Sequence, residues 1–171
     1  VSLAVLLGPR GVAPGPGVRA REWRGLYAAR ASPGGAAIHP FNTASVREFQ
    51  RAGRRVVGSA PVGVEGTASW LEAIGEAAGV SSAKIEAAKA KALPGIREAL
   101  KGAPVQGRIT LSGYEGSELL VARLLIESGA DVRYVGTAAP KTPFSDADCR
   151  WLQARGVEGQ VRASLYQDLA A

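Results

Sequence analysis

Residues 107–137 read GRITLSGYEGSELLVARLLIESGADVRYVGT: an apolar run with strand character, a glycine-flanked turn, an amphipathic helix and a second strand-like run. Leu120 with Leu124, and Val121 with Leu125, are spaced i, i+4, while Ser117 is available as an N-cap and Gly129 stands at the helix end. A cycle of strand, helix and strand builds a mostly parallel sheet with helices on its faces, so the expected fold class is α/β.

Upstream the same alternation continues in a weaker form. GPRGVAPGPG, residues 8–17, is too rich in proline and glycine for regular helix. REWRGLYAAR reads as a helix and AAIHP as a short strand. Asn42, Thr43 or Ser45 can cap the next helix, TASVREFQRAG, with Ser45 and Glu48 at capping-box spacing and Gly53 as its stop. RRVVGSAPVG is the following strand, and Thr67 is placed to cap GTASWLEAIGEAAG. The alanine- and lysine-rich run 81–102 contains Pro94-Gly95, which predicts two shorter helices separated by a kink or break. A domain junction is expected just after it, where the strand–turn–helix cycle restarts. Near the end, SDADCRWLQARG reads as a helix with Ser145 and Asp148 in capping-box positions.

Several function classes are excluded by composition. With 171 residues the chain can bury roughly 70% of the surface its unfolded form exposes, enough for a real core. No run of 18 apolar residues is present, and VSLAVLLG lacks the basic lead-in and cleavage pattern of a signal peptide, so a cytoplasmic location is expected. Methionine is absent and an apolar run begins at residue 1, which reads as an internal piece of a longer protein. The net charge of +6 sits in the first part: residues 1–106 hold 14 Lys and Arg against 7 Asp and Glu, and residues 107–171 hold 7 against 8. Those arginines are scattered along helix faces without interleaved aromatics, so no nucleic-acid partner is expected.

In parallel α/β sheets ligands bind beyond the carboxyl ends of the strands. Three turns hold that position: HPFNTAS at 39–45, SGYEGSE at 112–118 and GTAAPKTPFSD at 136–146. GYEGSE lacks the dinucleotide spacing and no P-loop occurs, so ATP is not expected to bind here. His39, the single histidine, is either a general acid–base or a strand-end histidine bonded to backbone. Glu115 is a second proton donor candidate or a carboxylate favoured by a helix N-terminus. Phe41 and Tyr114 either stack on a flat ligand or pack as ordinary aromatics, and Lys141 either meets a carboxylate or is solvated. Cys149, the single cysteine, reads as structural, and one thiol cannot by itself hold zinc or an iron–sulfur cluster. No metal site is expected in the chain.

The long runs AAIHPFNTASVREFQRAGRRVVGSAPVGVEGTASWLEAIGEAAGV, GRITLSGYEGSELLVARLLIESGADVRYVGTAAPKTPFSDAD and RASLYQDLAA closely resemble the Y-subunit family of chlorophyllide a reductase, the nitrogenase-like enzyme of bacteriochlorophyll synthesis. The resemblance covers residues 20–171 and is weak before them. It implies Rossmann-like parallel sheets of the nitrogenase MoFe-protein type. On that reading, residues 1–81 belong to a second Rossmann-like domain, 82–104 to linking helices with a proline kink, and 105–171 to the start of a third. It implies a [4Fe-4S] cluster in the full complex whose ligands lie outside this segment. It also implies a Z-type subunit completing a heterotetramer, and an X-type iron–sulfur reductase that binds the ATP and delivers electrons. The implied substrate is chlorophyllide a, reduced at the C7=C8 bond of ring B.

In the distantly similar nitrogenase α subunit the first turn carries His-Cys, whose cysteine holds the metal cofactor; here the pair is His39-Pro40, and proline cannot ligate metal. The resemblance therefore implies a cavity used for an organic tetrapyrrole. Phe41, Asn42 and Thr43 would line it from the first turn and Gly113, Tyr114, Gly116 and Ser117 from the second. Thr137 and Lys141 would line it from the third, with His39 and Glu115 as proton relays. The segment alone is expected to be inactive. Rival readings are a subunit of dark-operative protochlorophyllide reductase, a nucleotide-sugar-binding transferase, and a non-catalytic scaffold domain.

Overall fold

The computed structural model of the protein describes residues 34–37, 43–138 and 142–161; at position 45 and over 158–161 it describes the backbone. Strand β1 (Gly34–Ala37) leads to helix α1 (Thr43–Arg51) and strand β2 (Arg55–Gly58), and the two strands pair in parallel with Ala37 beside Gly58. Gly53 ends α1 at φ 69°, where its missing Cβ lets the chain turn left-handed and Arg54 N–H reach the Phe49 carbonyl at 2.9 Å. Helix α1 begins at Thr43, so Ser45 lies inside its first turn and is not the cap; Asn42 lies outside the described residues. Glu48 bonds Arg51 at 2.6 Å on the surface.

Helices α2 (Gly63–Ala77) and α3 (Ser82–Gly102) follow and pack together. Gly75 allows the approach: a Cβ there would stand 2.5 Å from the Ile85 side chain. Two expectations are corrected in this pair. Thr67 does not cap α2; it lies in the second turn, is 1% exposed, and donates its hydroxyl to the Gly63 carbonyl at 2.6 Å. The orphan N–H groups of Val64 and Glu65 are accepted instead by the carboxylate of Glu127, which comes from a different helix. Helix α3 runs without interruption through Pro94 for 21 residues, where two shorter helices were expected. Proline deletes one backbone bond, but the surrounding Ala, Lys, Leu, Glu and Arg residues are strong helix formers and carry the helix across it.

The second sheet is built from β3 (Arg108–Gly113), β4 (Asp131–Thr137) and β5 (Glu158–Val161), in the order β3-β4-β5 and parallel throughout. Helix α4 (Glu118–Glu127) connects β3 to β4, and α5 (Pro143–Gln153) connects β4 to β5. Their inward faces make the core with the sheet: Leu119, Ala122, Ala130, Val132, Val135, Leu152 and Val157 are all at most 8% exposed. Burying a side chain such as Leu119 or Leu152 contributes about 1.5–3 kcal/mol each. Cys149 packs against this cluster. Ser145 is not the cap of α5 but its third residue. Thr142 is the cap, its hydroxyl accepting Ser145 N–H at 3.1 Å while Ser145 Oγ accepts Thr142 N–H at 2.8 Å.

The α/β class with parallel sheets and flanking helices therefore holds. No helix among the described residues is long and apolar enough to cross a membrane.

Candidate functional site

The carboxyl ends of the strands converge. Gly113 at the end of β3 pairs with Thr137 at the end of β4, so the second and third turns leave the sheet side by side. In the other sheet Ala37 pairs with Gly58. The Phe144 ring, in the first turn of α5, lies where a Cβ of Gly58 would be, which sets the edge of the first sheet against the turn region after β4. The ends of β3 and β4, the start of α5 and the end of β2 thus lie along one seam.

Within that seam the turn 113–117 has a defined shape. Gly116 is buried at φ 74°, a conformation that disfavours any side chain. Gly113 faces Glu118, whose Oε1 would lie 2.6 Å from a Cβ at that position. Glu118 itself is 8% exposed; its Oε1 accepts Glu115 N–H at 2.9 Å and its Oε2 accepts the Thr137 hydroxyl at 2.6 Å. Ser117 occupies the N-cap position of α4 without a side-chain cap bond, so the capping expected of it is not made.

The residues singled out in the sequence are distributed as follows. Tyr114 is 52% exposed and Glu115 is exposed, both projecting from the held turn. Gly113 and Gly116 shape that turn, Ser117 is half-buried within it, and Thr43 is half-buried at the start of α1. Thr137 is fully buried and faces Glu118 instead of the surface. His39, Phe41, Asn42 and Lys141 lie outside the described residues.

Behind the seam stands a set of charges that sequence reading did not find. Ser59, directly after β2, holds φ 61° without being glycine, and donates its hydroxyl to Asp148 Oδ2 at 2.9 Å. Asp148 also pairs with Arg123, the two side chains being 7% and 9% exposed. Arg123 and Arg155 stack on Trp151, 4.6 and 3.6 Å from its ring centre. Trp151 Nε1 donates to Glu65 Oε2 at 2.8 Å, and Arg155 bonds both Glu65 oxygens at 2.9 and 2.8 Å. The indole hydrogen bond and the Arg155 charge hold the Glu65 carboxyl below the ordinary glutamate value, against the opposing effect of partial burial. A signal for Arg123 and Asp148 did exist. Each falls on the apolar stripe of its helix, at Leu119 plus four and Leu152 minus four, and a charge in such a place needs a partner.

Chemically, the seam offers an exposed phenol, an exposed carboxylate and a small-residue turn held by the Glu118 carboxylate.

Residues 12–169 match the family of nitrogenase component 1 type oxidoreductases. The chain is 66% identical over 171 residues to the chlorophyllide reductase 52.5 kDa chain of Cereibacter sphaeroides, a match covering 100% of this chain and 34% of that one. The chain of the same name from Rhodobacter capsulatus is 60% identical over 169 residues, covering 99% and 34%. The chain thus spans about a third of the length of the curated relatives it matches. A solved structure, "Nitrogenase Cp1 at pH 6.5", aligns with a TM-score of 0.53 at 18% identity, over 82% of this chain and 32% of that one, a likeness of fold.

The family implies iron–sulfur clusters in the full complex. Such clusters are held mainly by several cysteine thiolates. This chain has one cysteine, packed against the core, and no group of three or more metal-ligating side chains occurs among the described residues. The described residues, with a single cysteine in the chain, do not by themselves make a cluster site. Parallel sheets, a seam at their carboxyl ends and the match over 12–169 agree: the chain belongs to the nitrogenase component 1 type oxidoreductase family.

Proposed function

We propose that this chain is part of the Y-type subunit of a chlorophyllide a reductase, the catalytic component that reduces the C7=C8 bond of ring B. The observation that carries the reading is the 66% identity, along the whole chain, to a protein named chlorophyllide reductase. Residues 1–81 belong to the second Rossmann-like domain, 82–104 link, and 105–171 begin the third. A Z-type subunit completes the complex, a [4Fe-4S] cluster is ligated outside this segment, and an X-type partner binds ATP and supplies electrons. The complex works in the cytoplasm.

On this reading the seam forms one wall of the pigment pocket. Phe41 and Tyr114 contact the macrocycle, and Asn42, Thr43, Gly113, Gly116 and Ser117 allow its close approach. Lys141 meets the propionate, Thr137 backs the turn, and His39 or Glu115 relays a proton. The exposure of Tyr114 and Glu115 on a turn held from behind supports this assignment.

The test is anaerobic reconstitution of the full-length protein with Z-type and X-type partners, ATP and reductant, followed by absorption. A red-shifted bacteriochlorin formed from chlorophyllide a is the expected result. Turnover of protochlorophyllide instead would move the protein to the ring-D reductases.

A further inference from the structure

We infer that Glu118 and Thr137 are a positioning pair that sets the pose of a tetrapyrrole by fixing the turn 113–117. The inference rests on the chlorophyllide reading for the identity of the ligand, and on geometry for the rest. Glu118 is a carboxylate at 8% exposure, and charged groups are rarely left so deep without partners. Its two oxygens reach different structural elements: one takes the Glu115 N–H within the turn, the other the hydroxyl of Thr137 at the end of the neighbouring strand. A single side chain therefore ties the second turn to the strand from which the third departs. Thr137 is 0% exposed, so its hydroxyl acts through Glu118 and does not touch a ligand directly.

Chemistry makes the arrangement directional. An ionised carboxylate only accepts, whereas a backbone N–H and a hydroxyl can both donate, so both contacts are satisfied together. Gly113, unable to carry a Cβ so near Glu118, and Gly116, left-handed, contribute no side chain to hold the turn, and those of Tyr114 and Glu115 are exposed. Without the pair, the Glu115 N–H loses its link to β4, and beyond Gly113 the turn is no longer tied to that strand through Glu118.

The experiment uses the full reconstituted complex carrying Thr137→Val, Thr137→Ser or Glu118→Gln. Valine keeps the volume of threonine and removes the donor. In Thr137→Val the KM for the pigment should rise about ten-fold, the range expected for an unmade hydrogen bond at a buried carboxylate, with kcat within about two-fold. Thr137→Ser should restore KM. Glu118→Gln combined with Thr137→Val should cost less than the two single effects multiplied, as coupled residues do. Hydrogen exchange of the peptide spanning 113–117, read without any substrate, should speed up in Thr137→Val while the α3 peptides stay protected. An unchanged KM together with unchanged exchange at 113–117 would overturn the pairing. Lowered thermal stability with unaltered KM would reduce it to a structural bond. Failure of the wild-type complex on chlorophyllide a would defeat the function reading alone, because the exchange result stands without a pigment.

Discussion

Asp148 and Arg123 form a buried ion pair across α5 and α4, and the same carboxylate accepts the hydroxyl of Ser59 from the end of β2. One side chain thereby joins the second sheet's helices to the edge of the first sheet. Removing one member leaves the other charge buried and unpaired. Asp148→Ala should lower the unfolding free energy of the full-length protein by about 3–5 kcal/mol in denaturant titrations, whereas Asp148→Leu with Arg123→Met should cost far less.

The Phe144 ring fills the position that a side chain at Gly58 would need. Gly58→Ala forces that ring away and should destabilise by about 1–3 kcal/mol. The double variant Gly58→Ala, Phe144→Ala should cost less than the two single changes added, because the second change removes the clash created by the first. Additive losses would mean that the two residues do not meet.

Glu65 titrates below the ordinary glutamate value because Trp151 donates to it and Arg155 lies beside it. A carboxyl depressed in the folded state stabilises the fold above its unfolded value, and that contribution disappears as pH falls through the folded value. Trp151→Phe removes the donor. The Glu65 carboxyl signal in NMR should then shift its midpoint upward, and the acid limb of the stability profile should lose the share due to the Trp151 hydrogen bond, with that of Arg155 remaining.

Tyr114 is 52% exposed, so little of the fold rests on it. Tyr114→Ala should change stability by no more than about 0.5 kcal/mol, as surface substitutions do. Pigment affinity, followed by absorption titration of the reconstituted complex, should fall about five- to ten-fold if the ring stacks on the macrocycle.

Local pattern was readable and long-range pairing was not. GRITLSG and ADVRYVGTA mark β3 and β4 closely because strand character and the flanking glycines are written in adjacent residues. Helix caps were read less well: at α5 the expected Ser145 is the third residue, since Pro143 after Thr142 starts the helix earlier. Thr67 looked like a cap because it precedes an apolar run, but α2 begins at Gly63, where Glu127, 63 residues from Val64, supplies the acceptor. Ser59 and Asp148 are 89 positions apart, a separation that no periodicity encodes. Glu118 lies inside the turn 112–118, yet no local pattern marks it, because its partner Thr137 lies on the neighbouring strand.

The most direct test of the proposed pocket is a cryo-electron microscopy map of the full-length protein with the proposed Z-type partner and chlorophyllide a added. The macrocycle should lie at the carboxyl ends of β1, β3 and β4, with Tyr114 within about 4 Å of the ring and the turn 113–117 unmoved. A pigment bound away from that seam, with Tyr114 still solvated, would contradict the account.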